Sequence, residues 1–391
     1  MTKVPNWLVG LAALCVAICP ALSARTSGPA IEPAIPSRED APIALLVDLS
    51  TGQTLFARQE NRRFMPASIT KVMTTFLAFE WMEEGRLFPQ QVFTIRPETF
   101  RKWHAVGSTM YLPADARVTA DELIHGITTV SANDASVVLA EGAAGSVPDW
   151  LAAMNAKARE IGMHESHYGT PNGWMDEGRT FVTAHDLATL AQAMITRHPG
   201  KYRHFIGAEG LEYNGIVQRN HDPISGVVEG ADGIKTGFTN QAGYGFLGSA
   251  QRNGRRLVMV VAASPTGSAR NDAARALMEW GFAAFDDRIL FNANEPIGYA
   301  EVQDGSLPRV PLVAKSPVRI ALPAGAKPRI DLAIRYEGPL KAPIQEGARV
   351  AQLVVSIDGR AINTVPLVAR HPVLEATVLQ RVFNGMAGWV S

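Results

Sequence analysis

Cysteine is almost absent from this chain of 391 residues: there are two, Cys15 and Cys19, both inside one apolar N-terminal stretch. Once that stretch is removed, no thiol is left for a disulfide framework, a thiolate nucleophile or a Cys-ligated metal. Excess charge is absent too. The 37 Lys and Arg balance the 37 Asp and Glu, so nothing favours nucleic acid or another polyanion as a partner. Nor is there a long apolar run, because the stretch from Trp7 to Ile18 is too short for a comfortable membrane span.

What is present at the N-terminus is the three-part pattern of an export signal: Lys3, the apolar run, then the small residues of Pro20-Ala21-Leu22-Ser23-Ala24. We expect a signal peptide over 1–24 cut near Ser23 or Ala24, with an uncleaved anchor as the alternative. Leu14 and Ile18 precede the cysteines, which argues against lipoprotein processing. Pro- and Ser-rich residues 25–41 read as a linker.

Regular structure is expected from residue 42. Ala44 to Leu49 and Thr54 to Ala57 flank the turn Ser50-Thr51-Gly52-Gln53, a hairpin. From Trp81 to Ala193 the pattern is mostly helical, clearest at Asp121 to Ala140 and Val147 to Ile161. Three strands follow, Gly233 to Gly237, Gly245 to Ala250 and Arg256 to Ala263, the last two joined at Asn253-Gly254 as antiparallel neighbours. Asn271 to Phe285 reads as a closing helix. These elements make one domain, 42–287. Evenly spaced short strands punctuated by Pro and Gly then predict a small all-β domain, sandwich or barrel, over 295–370.

Three stretches carry chemistry. In Pro66-Ala67-Ser68-Ile69-Thr70-Lys71 the proline suits a helix start, and a three-residue spacing sets Lys71 beside the Ser68 hydroxyl, where a neutral amine can take its proton. Ser131-Ala132-Asn133 puts a hydroxyl and a carboxamide on a turn. Lys235-Thr236-Gly237 puts a cation and a hydroxyl on a strand, with a glycine that lets a ligand backbone lie close. Singly, each is an ordinary cap, loop or strand end.

Together, in that order and about sixty and a hundred residues apart, they form the signature set of penicillin-recognising serine enzymes. The chain resembles the low-molecular-mass penicillin-binding proteins that act as serine-type D-alanyl-D-alanine carboxypeptidases (peptidase S11 type). The likeness extends to Asp48 to Gly52, Thr170-Pro171-Asn172-Gly173, Tyr213-Asn214-Gly215-Ile216 and Ala242-Gly243-Tyr244, and into the β domain around Val354 to Leu367.

The resemblance implies an α/β (α+β) β-lactamase/transpeptidase-like domain, an antiparallel sheet with helices on both faces and a helical subdomain, followed by a small all-β domain. It implies Ser68 as nucleophile toward peptidoglycan stem peptides ending in D-Ala-D-Ala, Lys71 as base and Ser131 as proton relay. Lys235 would depress the Lys71 pKa and attract the substrate carboxylate, Asn133 would bind the substrate peptide, and Thr236 would reach the terminal carboxylate. Backbone N–H groups of Ser68 and Phe238 would form the oxyanion hole. β-Lactams would be inhibitors; no cofactor and no metal is implied.

Two positions depart from the family. Asn220-His221-Asp222 stands where relatives often carry an Arg, so that carboxylate affinity becomes pH-dependent or Arg219 substitutes, and Phe238 follows Gly237 where a polar residue is usual. A class A β-lactamase would need a Glu-x-x-Leu-Asn stretch before Lys235, which is missing. A zinc carboxypeptidase would have only the pair His164-x-x-His167, better read as a loop. A murein endopeptidase is disfavoured by the β domain, and a silent scaffold by the intact Ser68, Lys71, Ser131 and Lys235.

In the tail, 372–391, Leu374, Val378, Val382, Met386 and Trp389 fall at helical spacing, which allows peripheral contact with the outer face of the inner membrane; packing on the β domain is the alternative.

Overall fold

The computed structural model describes residues 33–377; the expected signal peptide and most of the tail lie outside them. The hairpin β1 (Ile43–Asp48) and β2 (Gln53–Arg58) opens the fold. A 3-10 turn, Ala67–Thr70, leads into α1 (Lys71–Glu83). Next come β3 (Val92–Thr94), α2 (Pro97–Trp103), β4 (Arg117–Thr119), α3 (Ala120–Thr129), α4 (Asn133–Ala144) and α5 (Val147–Glu160). α6 (Ala184–Arg197), α7 (Pro199–Phe205), and the small hairpin β5 (Gly210–Tyr213) and β6 (Ile216–Arg219) complete the helical part.

β7 (Ala231–Thr239), β8 (Gly243–Arg252) and β9 (Arg255–Ser264) then return to the sheet. Its order is β2-β1-β9-β8-β7, antiparallel throughout. Asn253 and Gly254 both have positive φ, 50° and 78°, the backbone a two-residue hairpin turn demands. Strand alternation explains how the sheet is covered. Ile43, Leu45, Val258, Val260 and Ala262 join the core with α1 and α6, while the intervening Leu46 and Leu257 meet Gly281 of α8 (Gly267–Ala283). β9, central and covered on both faces, is therefore a nearly continuous apolar run.

The helical stretch expected from Asp121 to Ala140 is two helices. The chain breaks at Val130 to Ala132, where Ser131 takes a φ of 63°, a conformation an α-helix cannot contain. The expected closing helix starts earlier, at Gly267, and gives way to a strand at Phe285.

The second core is all β. β10 (Phe285–Phe291) pairs with β13 (Val318–Pro323). β11 (Pro296–Gln303), β12 (Arg309–Val313), β14 (Ile330–Arg335), β15 (Leu340–Lys341), β16 (Arg349–Ile357) and β17 (Arg360–Ala369) form a sheet ordered β14-β16-β17-β12-β11-β15. The side-chain amide of Gln53 bonds both the N–H and the carbonyl of Ala321, and Asn363 donates to the Thr51 carbonyl, so the β1–β2 turn is tied to this core.

The tail starts on the β core, as the alternative reading had it, but extended rather than helical. Val373 and Ala376 are buried, and backbone bonds Ser306 N to Leu374 O and Ala376 N to Asp304 O hold these residues extended on the β core. Leu374, 68% exposed, is thus in an extended segment, and the rest of the apolar stripe lies outside the described residues. Among the described residues no helix is long and apolar enough to cross a membrane.

Candidate active site

Ser68 sits in the 3-10 turn rather than in the α-helix itself, and the turn is held in an unusual shape. Ala67 has a φ of 48°, costly for a residue with a Cβ, so the surroundings must impose it. Two glycines make room for that turn. A Cβ on Gly173 would overlap the Ala67 carbonyl, and one on Gly237 would overlap the Pro66 carbonyl. Gly237, expected to let a ligand backbone approach, also packs tightly against the chain that carries Ser68.

Lys71 opens α1 and is 1% exposed. Its Nζ lies 2.9 Å from Ser68 Oγ, 2.8 Å from Asn133 Oδ1 and 2.6 Å from the Asn172 carbonyl. The last two can only accept. Asn133 is oriented by its own Nδ2, which donates to the Val106 carbonyl at 3.0 Å, so its oxygen must face the lysine. A neutral amine spends two N–H bonds on those oxygens and turns its lone pair to the Ser68 hydroxyl. Burial, then the nearby Lys235 charge, push the Lys71 pKa well below its usual range; Asp134 opposes them.

Asn133 begins α4, and Asp134 beside it accepts from the N–H groups of Met110 and Leu112, while Ser108 O accepts from Asn133 N. This fastens the loop of Ser108 to the turn of Ser131. Lys235 on edge strand β7 is 6% exposed, and its Nζ donates to the Thr236 carbonyl at 3.2 Å. Burial first, then Arg270, lower its pKa to about 7, against the pull of Asp222.

A cleft of about 540 Å³ opens above these groups, and Ser68, Ser131 and Thr236 line it. Lys71, Asn133 and Lys235 support it from buried positions. His221 also lines it, its pKa lowered by burial, then by Lys235 and Arg270, which favours its uncharged form. Arg219, weighed as a substitute cation, is exposed on β6 and is not part of the lining. The guanidinium groups that line the cleft are those of Arg270, which donates to the Gly245 carbonyl from α8, and Arg275. The position of Arg270 just before the closing helix expected from Asn271 hid it, since no motif marks it. Phe238 stacks on Tyr244 at 4.1 Å between ring centroids, forming an aromatic wall.

A serine hydroxyl bonded to a buried lysine, on an antiparallel sheet beside a helical subdomain, is the arrangement of a serine acyl-transfer enzyme of the penicillin-recognising class. Residues 31–266 match the D-alanyl-D-alanine carboxypeptidase family and 285–374 match the penicillin-binding protein 5 C-terminal domain. The chain belongs to the D-alanyl-D-alanine carboxypeptidase family, peptidase S11 type, and shares its fold, an antiparallel sheet with helices followed by an all-β domain. It is 30% identical over 345 residues to D-alanyl-D-alanine carboxypeptidase DacA of Haemophilus influenzae, covering 87% of each chain. The crystal structure of penicillin-binding protein 5 from the same organism superposes with a TM-score of 0.77 at 29% identity, over 88% of this chain and all (100%) of that one. Penicillin-binding protein D2 of Listeria monocytogenes, solved in its ampicillin-bound form, matches with a TM-score of 0.56 at 27% identity, over 62% of this chain and 97% of that one.

Proposed function

We propose that the chain hydrolyses the terminal D-alanine from peptidoglycan pentapeptide stems through an acyl-Ser68 intermediate. The observation that carries this reading is the set of partners around Lys71 Nζ: two acceptor-only oxygens and the Ser68 hydroxyl. Ser68 Oγ attacks the carbonyl of the penultimate D-alanine as its proton passes to Lys71, and backbone N–H groups of Ser68 and Phe238 receive the oxyanion. The C–N bond then breaks, and a proton relayed through Ser131 leaves with terminal D-alanine. Water attacks the ester, and Ser68 regains its proton.

Substrate is held by its charge and its backbone. Lys235 attracts the terminal carboxylate, Thr236 reaches it with a hydroxyl, and Asn133 bonds the peptide. β7 is the edge of its sheet, so an extended stem peptide can lie along it. A β-lactam offers the same carboxylate and an acylating carbonyl, and the ampicillin-bound relative supports its action as an inhibitor here. Release of D-alanine from a synthetic pentapeptide, present in the wild type and lost in Ser68→Ala, tests the reading; equal release by both would sink it.

The same reading places the enzyme outside the cytoplasm, exported by residues 1–24 and acting in the periplasm on cell-wall peptides, with consequences for cell shape. We read two domains, 42–287 and 295–370, and a peripheral membrane contact through the part of the 372–391 tail that follows Thr377. Fractionation of the full chain beside one ending at Thr377 tests that contact. Retention of the shortened chain on membranes would assign the anchoring elsewhere.

A further inference from the structure

We propose that Asp121, His125 and His204 form a binding site for a late first-row divalent metal ion, of which Zn²⁺ is the type, outside the catalytic cleft. Asp121 and His125 are one turn apart on α3 and so share a face, while His204 comes from the end of α7. One ligand atom from each lies within 4.8 Å of the others. His204 Nε2 is 3.2 Å from Asp121 Oδ1, and His125 Nε2 is 3.8 Å from Asp121 Oδ2. Metal bonds of about 2.1 Å in a tetrahedron set ligand atoms roughly 3.4 Å apart, so the three, within 4.8 Å of one another, must draw together on an ion.

Two imidazoles and a carboxylate are a donor set suited to zinc, with water in the fourth place, and ill suited to Mg²⁺, which prefers oxygen. The site is accessible, since Asp121 and His204 keep side-chain exposures of 37% and 58%. It is also braced. Thr119 and Glu122 cap the start of α3 reciprocally, fixing the turn of Asp121, and the Phe205 ring lies 4.8 Å from that of His125. None of the three lines the cleft. What an ion would do is pin α7 to α3, and α3 runs to Thr129, just ahead of Ser131. Its effect would be on the stability of the helical part, with chemistry at Ser68 left to the lysine.

The test is titration of the full-length, metal-stripped protein with ZnCl₂, read by calorimetry and by the melting temperature, with MgCl₂ alongside. One Zn²⁺ per chain should bind and raise the midpoint by a few degrees, while Mg²⁺ does neither. His204→Ala, at an exposed position, and Asp121→Asn should each weaken Zn²⁺ binding at least about tenfold while leaving the rate of penicillin acylation unchanged. Co²⁺ should give the strong visible absorption of a tetrahedral nitrogen-oxygen site, lost in His204→Ala. No saturable Zn²⁺ binding to the wild type, or binding unaltered in both variants, would overturn the proposal.

Discussion

Asn133 holds its carbonyl oxygen 2.8 Å from Lys71 Nζ and cannot reverse it, because its amide nitrogen is committed to Val106 O at 3.0 Å. The asparagine thereby chooses which face of the amine carries the lone pair. Asn133→Asp puts a carboxylate there. It should stabilise the lysine's charged form, raise the pKa that burial lowers, and slow acylation by about a hundredfold at pH 7. Stopped-flow acylation by a penicillin measures this, and an unchanged rate would show that Asn133 does not orient the base.

The two lysines predict a bell-shaped pH profile for kcat/KM. In the proposed mechanism acylation uses neutral Lys71, so activity should rise with pH through that depressed pKa. In the same proposal carboxylate capture uses charged Lys235, whose pKa is about 7, so activity should fall as pH climbs above that value. Lys235→Arg keeps its charge and should remove the falling limb. Lys71→Arg, unable to give up its proton, should be slower by about a thousandfold throughout. A falling limb unchanged in Lys235→Arg would assign it to another group.

Lys235 is also a stability cost. Its pKa is about 7 in the folded chain and near 10.4 when unfolded, so between those values the unfolded state binds more protons and stability rises with pH. Lys235→Met should therefore stabilise the protein at pH 7, by about 2 kcal/mol, with an advantage that shrinks toward pH 10. Thermal melts across that window check the sign. A destabilised variant at pH 7 would mean the ammonium is held by interactions that outweigh its burial.

Gly173 has a φ of 74° and no room for a Cβ beside the Ala67 carbonyl. Gly173→Ala should displace the Ser68 turn, costing about 1–3 kcal/mol in stability and roughly a hundredfold in acylation. Near-normal acylation would show that the turn keeps its shape without that contact.

How much of this was legible in the residues depends on the range of the interaction. The Ser68–Lys71 pair is local, so spacing found it, as it found the hairpin at Asn253-Gly254. Ser131 and Asn133 were visible as a turn, but not the positive φ of Ser131, which depends on the packing of two helices. The clash relations of Gly173 and Gly237 with the Ser68 turn, the Arg270 guanidinium at the cleft and the meeting of His125 with His204 all join distant segments. No periodicity encodes them. Leu374 was assigned by its spacing to a helical stripe, yet backbone pairing with Ser306 holds it extended, because the buried Val373 and Ala376 decide that segment.

The central claim, that Ser68 carries the acyl group, is tested most directly by mass spectrometry of the protein after a brief penicillin exposure. We predict one adduct per chain, on the peptide containing Ser68, absent from Ser68→Ala and slow to form in Lys71→Arg. An adduct on any other peptide, or an adduct that survives in Ser68→Ala, would contradict the account.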